Sequence, residues 1–241
     1  MHEAVKGTVE GFLAAADAAL PSGYSALLFG SGARGDYVRG RSDVNLLVVT
    51  DTADFAVLRA LGPALRKWQD ASYEPPFLFT RTEWQRATDV YPVEITDMQA
   101  RYQLLRGADP IAGVTVNPTD LRQALESELR GKLMRLRQGY ATFADAERDL
   151  TPLAASSVSS ILVLFRGMLV LVGDAGSARE ENPAIVEAAG RAAGFAPQPV
   201  LEIVRRRDDR GWRCSAALFE GYVTAVASAA RRVDQLQTGE A

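Results

Sequence analysis

Apolar residues at Val5, Val9, Phe12, Leu13, Ala16 and Leu20 recur every three or four positions, the spacing of one buried helix face, and Pro21-Ser22-Gly23 ends the run. A continuous apolar stretch from Tyr24 to Phe29 predicts a strand. A second, Val44 to Val49, follows the glycine-rich segment Gly30 to Gly40 and closes at Thr50 and Asp51. Phe55, Leu58, Leu61, Leu65 and Trp68 then predict an amphipathic helix; Pro76 to Thr80 reads as a strand and Pro92 to Ile95 as another short one. From Asn117 onward the pattern is helical. Asn117-Pro118 supplies an N-cap and a first-turn proline, and Leu121, Leu125, Leu129, Leu133 and Leu136 continue the face. Further helices are predicted from Leu153 to Val172, Asn182 to Ala193 and Ala216 to Leu236, with linkers at 173–176 and 194–199. The expected class is α+β: a small mixed-sheet domain over 1–114 and an all-α helical bundle over 115–241.

Composition narrows this picture by exclusion. With 47% hydrophobic and 24% charged residues over 241 positions, the chain is neither disordered nor fibrous. A net charge of −3, from 27 basic and 30 acidic residues, argues against long nucleic acids and anionic membranes as partners. Cys214 and His2 are the single cysteine and histidine, which excludes an internal disulfide, Cys/His metal clusters and histidine-dependent triads. Glu3, Lys6, Glu10 and Asp17 interrupt the first twenty residues, unlike a cleavable leader. The most apolar run, Ile161 to Val172, contains Arg166 and Gly167 and falls short of the roughly 18 apolar residues that span a bilayer. The expected location is cytoplasmic.

The segment Leu28-Phe29-Gly30-Ser31-Gly32-Ala33-Arg34-Gly35-Asp36 carries the candidate chemistry. Gly30-x-Gly32-x-x-Gly35 satisfies a dinucleotide-binding pattern, but that pattern needs a full crossover helix before the next strand, and only Asp36 to Ser42 is available, without an apolar face. A phosphate loop of the Gly-x4-Gly-Lys-Ser/Thr type fails because no lysine follows Gly35. The other parse begins at Gly30-Ser31 and ends with Ser42-Asp43-Val44-Asn45-Leu46-Leu47-Val48-Val49, with a later apolar–acid–apolar triplet at Val93-Glu94-Ile95. In these residues the chain resembles the polymerase-β-like nucleotidyltransferase superfamily, over roughly 24–107, with a fainter likeness to aminoglycoside adenylyltransferases.

The resemblance implies transfer of a nucleotidyl group, most simply AMP from Mg·ATP, to a hydroxyl of a small-molecule or protein acceptor. It implies Mg²⁺ held by Asp43, Asn45 and Glu94, with Asp43 and Glu94 catalytic. Gly30, Ser31, Gly32, Arg34 and Asn45 would lie around the nucleotide. Side chains at i and i+2 of a strand share a face, so Asp43 and Asn45 project together, and hard cations favour such oxygens. Ser31 and the backbone N–H groups of Gly32 and Ala33 are expected to hold phosphate, with Arg34, Arg39 or Arg41 adding charge. Asp89 and Asp97 are alternatives to Glu94 as third acid, and Asp36 and Asp51 read as turn residues.

The chain departs from the family at position 45, where asparagine replaces a second carboxylate. A neutral amide removes one negative charge from the site and weakens its case for two divalent cations. The alternative expectation is therefore a catalytically impaired homologue, acting as a nucleotide-binding or partner-binding, antitoxin-like module. A ribonuclease of the Arg-x4–6-His kind, sometimes partnered with small nucleotidyltransferases, is excluded, because the only histidine is His2. In the helical half, the run Arg205 to Arg210 reads as solvated surface. Arg166, in an apolar helix, requires a partner, either an acid or a group in the interdomain cleft, and stands as a substrate-site candidate, and Trp68, Trp84 and Trp212 read as core or domain-contact residues.

Overall fold

The computed structural model describes residues 3–20, 22–34, 44–71, 73–143 and 147–236. The chain divides into two compact units, Met1–Thr115 and Val116–Ala241.

The first unit opens with helix α1, Glu3–Ala19, whose predicted face (Val5, Val9, Phe12, Leu13, Ala16) is fully or almost fully buried. Strand β1, Tyr24–Phe29, leads through a turn at Gly30 into one helical turn, α2, Ser31–Arg34. Strand β2, Asn45–Thr50, precedes helix α3, Phe55–Asp70. Asp54 starts α3 because its Oδ1 accepts the N–H groups of Ala56 and Val57, both at 2.9 Å. Strand β3, Phe77–Thr80, runs into a short helix α4, Arg81–Trp84, closed by a reciprocal Thr80/Glu83 capping box. Helix α5, Pro92–Ala100, and strand β4, Tyr102–Arg106, complete the set.

The segment from Pro92 to Ile95 is thus the first turn of α5 and not the strand expected from its apolar–acid–apolar pattern. Proline is accommodated in a first turn, where its missing N–H has no helical partner to lose. The Ile95 N–H donates to Tyr91 O at 3.0 Å, and Thr96 Oγ1 donates to Pro92 O at 2.7 Å. Val93, Ile95, Thr96, Asp97 and Met98 are all buried, so burial on several sides, not alternation, governs this run.

Among the described residues the strands form a four-stranded mixed sheet in the order β3-β2-β1-β4. β1 is antiparallel to both β2 and β4, and β2 is parallel to β3. Register separates two faces. Tyr24, Ala26, Leu28, Val44, Leu46, Val48 and Leu78 pack with α1 and α3 around Trp68. The opposite face bears Leu27 and Phe29 of β1, opposite Leu47 and Asn45 of β2, with Phe77 opposite Leu47 and Phe79 opposite Val49. Tyr91, just before α5, meets this second face: its ring lies 5.7 Å from Phe77 and 5.5 Å from Phe79.

The second unit is helical: α6, Pro118–Phe143; α7, Glu147–Leu171; α8, Asn182–Ala193; α9, Gln198–Arg206; and α10, Ala216–Asp234. Asn117 Oδ1 accepts the Thr119 N–H at 2.8 Å, the capping role its position before Pro118 predicts. Helix α9 occupies part of what reads in sequence as a linker. α6 packs on α7 and α10, and α8 and α9 pack on the same two helices. At Gly167 a Cβ would come within 2.8 Å of Leu125 Cδ2, so this glycine lets α6 approach α7. The stretch Asp149–Leu171 has the length of a membrane span and holds an 18-residue window of mean hydropathy 1.8, but 56% of that window is buried inside the protein, as in a core helix.

Candidate functional site

Gly30 and Asn45 meet where β1 ends and β2 begins. Phe29 and Asn45 are cross-strand partners, which brings the Asn45 side chain over the turn. Gly30 has φ +69°, the left-handed region that favours glycine, and a Cβ there would lie 2.5 Å from Asn45 Nδ2. Two independent constraints therefore select glycine at position 30, and the Asn45 amide packs against bare backbone. Gly32 is buried against Leu28, whose Cδ1 would lie 3.5 Å from a Cβ at that position. Ser31 and Arg34 are the first and last residues of α2.

The structure revises the phosphate-holding groups expected from sequence. The Ala33 N–H donates to Gly30 O at 3.2 Å, so it is committed within the turn. Asp43, together with Asp36, Arg39 and Arg41, lies outside the described residues. Asn45 is half-buried on the second face of the sheet.

Glu94 is half-buried in the first turn of α5, not on a strand beside β2. An acid suits that position because a helix N-terminus carries partial positive charge. The strands that do lie alongside β2 are β1, Tyr-Ser-Ala-Leu-Leu-Phe, and β3, Phe-Leu-Phe-Thr, both without an acid. The β3 residue on the Asn45 face next to Leu47 is Phe77. The alternatives fare no better, since Asp89 is exposed in a turn and Asp97 is buried within α5. Asp51, in the bend after β2, is ion-paired with Arg81, consistent with a turn residue.

These positions test the Mg²⁺ site that the resemblance implies. Among the described residues, the sheet contributes one neutral amide, Asn45, and β3 presents Phe77 on the same face. Hard divalent cations take charged and carbonyl oxygens, and ligand charge sets their affinity. Asn45 and Glu94 carry such oxygens, and Asp43, the other expected ligand, lies outside the described residues.

What the face does offer is aromatic. Phe29 is 4% exposed and its ring is 6.1 Å from Phe77. Phe77 is stacked with Phe79 at 6.1 Å, and Phe77, Phe79 and Tyr91 remain partly exposed. Trp84 closes the far end, 5.5 Å from Phe79, with its indole N–H donating to Pro110 O at 2.7 Å. This cluster was not legible as a site from sequence, because Pro76 to Thr80 and Tyr91 are forty residues and more from Gly30. Their convergence depends on β3 pairing in parallel with β2.

Arg166, 1% exposed, donates from Nη2 to Asn182 Oδ1 at 2.6 Å and ties α7 to α8. Arg206 pairs with Asp209 at 3.1 Å on the surface, as the charge run predicts. Trp68, Trp84 and Trp212 are core residues, and the Trp68 indole donates to Glu74 O at 2.6 Å. No family model matches this chain, and no curated protein matches it in sequence.

Proposed function

We propose that this chain is a nucleotide-binding module of the nucleotidyltransferase type in which the machinery for transfer has been depleted. The observation that carries the reading is the conjunction at the strand ends beside the glycine turn: Asn45 where the resembled family has an acid, and the acid-free strand β3 next to β2. The Gly30-Ser31 turn supports retention of a ligand site, since it keeps both a positive-φ glycine and a tightly packed partner residue. The neutral amide at position 45 supports loss of turnover, because in-line displacement at phosphorus relies on cations that neutralise developing charge.

A transferase with one firmly held cation is the second reading, favoured by Asp43 two residues before Asn45. The two separate in one experiment. Each nucleoside triphosphate is incubated with the intact protein and Mg²⁺, with binding followed by calorimetry and pyrophosphate release by a coupled assay. Binding without release is expected. Release that disappears in Asp43→Ala would replace the proposed reading with nucleotidyl transfer, and absence of all binding would remove both.

A further inference from the structure

We infer that the second face of the sheet receives an uncharged purine-type base, held by the Asn45 amide and stacked on Phe77 with Tyr91 against its edge, and that this binding needs no divalent cation. The inference rests on the nucleotide-binding reading above and specifies which part of the nucleotide meets this face, and how.

The chemistry of the face is that of base recognition. A primary amide presents a donor and an acceptor side by side, the complement of an adenine edge that offers N6–H and N7. Asn45 stands at the end of β2, half-buried, on the same face as Phe29, Leu47 and Phe77 by direct strand register. Partly exposed aromatic rings accept planar heterocycles by stacking, as in proteins that bind single-stranded nucleic acids. Phe77 and Tyr91 meet edge to face at 5.7 Å and an interplanar angle of 80°, so the two rings form a corner, with Phe29 as its buried floor.

The same residues disfavour the polyphosphate on this face. Phe77 and Asn45 supply no positive charge, and Glu94 lies on the helix that follows Tyr91. The neighbouring core positions sharpen the contrast. Leu27 and Leu47, on the same face, are 0% exposed, whereas Asn45, Phe77 and Tyr91 keep accessible surface. A base, being flat, uncharged and rich in edge hydrogen bonds, fits what remains open.

The test is calorimetric titration of the intact protein with adenosine, ATP and inorganic tripolyphosphate, each in EDTA and in Mg²⁺. The variants are Phe77→Leu, Phe77→Tyr and Asn45→Asp, with unfolding midpoints to show that each is folded. Adenosine is expected to bind in EDTA. Phe77→Leu is expected to weaken it about tenfold or more, the scale of a lost base–aromatic stack. Phe77→Tyr should retain it, and Asn45→Asp, which removes the donor, should weaken it even if Phe77→Leu does not fold. Tripolyphosphate binding should be indifferent to Phe77→Leu.

ATP binding that requires Mg²⁺, with adenosine silent, would overturn the inference and leave the nucleotide reading standing. Adenosine affinity unchanged in both Phe77→Leu and Asn45→Asp would overturn it as well. If none of the three ligands binds, the nucleotide reading falls and this inference with it.

Discussion

The two faces of the sheet are made by the same strands, one residue out of step, yet they differ in kind. On the α1/α3 face, Tyr24, Ala26, Leu28, Val44, Leu46 and Val48 are all buried within one apolar cluster closed by Phe12 and Trp68, whose rings meet edge to face at 5.4 Å. On the other face, fully buried Leu27 and Leu47 adjoin a half-buried amide and partly exposed rings. One face is finished by its own helices. The other is finished at Leu27 and Leu47 and left chemically open at Asn45, Phe77 and Tyr91. Strand alternation thus lets the six residues of β2 face two different environments, without either set moving the other.

The largest expected effect tests that division on adjacent residues. Leu46→Ala should destabilise the protein by about 2–5 kcal/mol, the cost of lost burial plus a cavity. Asn45→Ala, one residue away, should change stability by less than about 0.5 kcal/mol, as at sites outside the packed core. Urea unfolding of both variants measures the difference, and comparable losses would show that the two faces do not divide the labour.

A smaller effect is expected at the turn that joins the faces. Gly30→Ala should cost about 1–3 kcal/mol, from a strained backbone and from contact with Asn45. Because the contact requires both residues, the cost should shrink in an Asn45→Ala background, and a double-mutant cycle reads that coupling directly. Strict additivity would mean that backbone strain alone selects glycine at position 30.

The smallest effect belongs to the α1/α3 face, where Tyr24 O–H donates to Asp17 Oδ1 at 2.7 Å and Arg106 Nη2 lies 3.3 Å from Asp17 Oδ2. The hydrogen bond from Arg106, then that from Tyr24, holds the Asp17 carboxyl below the usual aspartate range. A lowered folded value means stability that is present above the ordinary value of about 4 and lost as pH falls through the folded one. Both charged groups are nearly half exposed, so solvent screening keeps the contribution small. The stability difference between the wild type and Asp17→Asn should therefore be visible at pH 7 and vanish in acid. A difference that persists at pH 2 would assign it to packing. Tyr24 behaves in the opposite sense: burial and then the Asp17 hydrogen bond raise its phenol, so its contribution is present at neutral pH and lost in strong base.

Most elements of both units were legible in the sequence where they are long and periodic. The leucines of α6 and the capping of Asn117-Pro118 needed only local rules, as did the apolar runs that became β1 and β2. The failures are short. Val93-Glu94-Ile95 has the same apolar–acid–apolar pattern in a strand or in a buried helix turn, and Pro92 followed by an acid was the discriminating sign, the same one that opens α6 at Pro118 and Asp120. β4 escaped notice because an edge strand of five residues, Tyr-Gln-Leu-Leu-Arg, lacks alternation across its irregular register with β1. At the candidate site, Gly30 and Asn45 were visible as positions, but their contact and the ring corner beside them were not.

What the sequence determined by itself is whatever a window of a dozen residues can decide: the helix faces, the caps, the glycine turn after β1 and the neutral amide at 45. The tertiary structure decided which distant segments share a surface. Parallel pairing of β3 with β2 set Phe77 next to Leu47, and helical closure of Pro92–Ala100 took Glu94 off the sheet. Side-chain chemistry is written residue by residue, whereas register and long-range pairing arise from burial summed over whole faces, which no local pattern encodes.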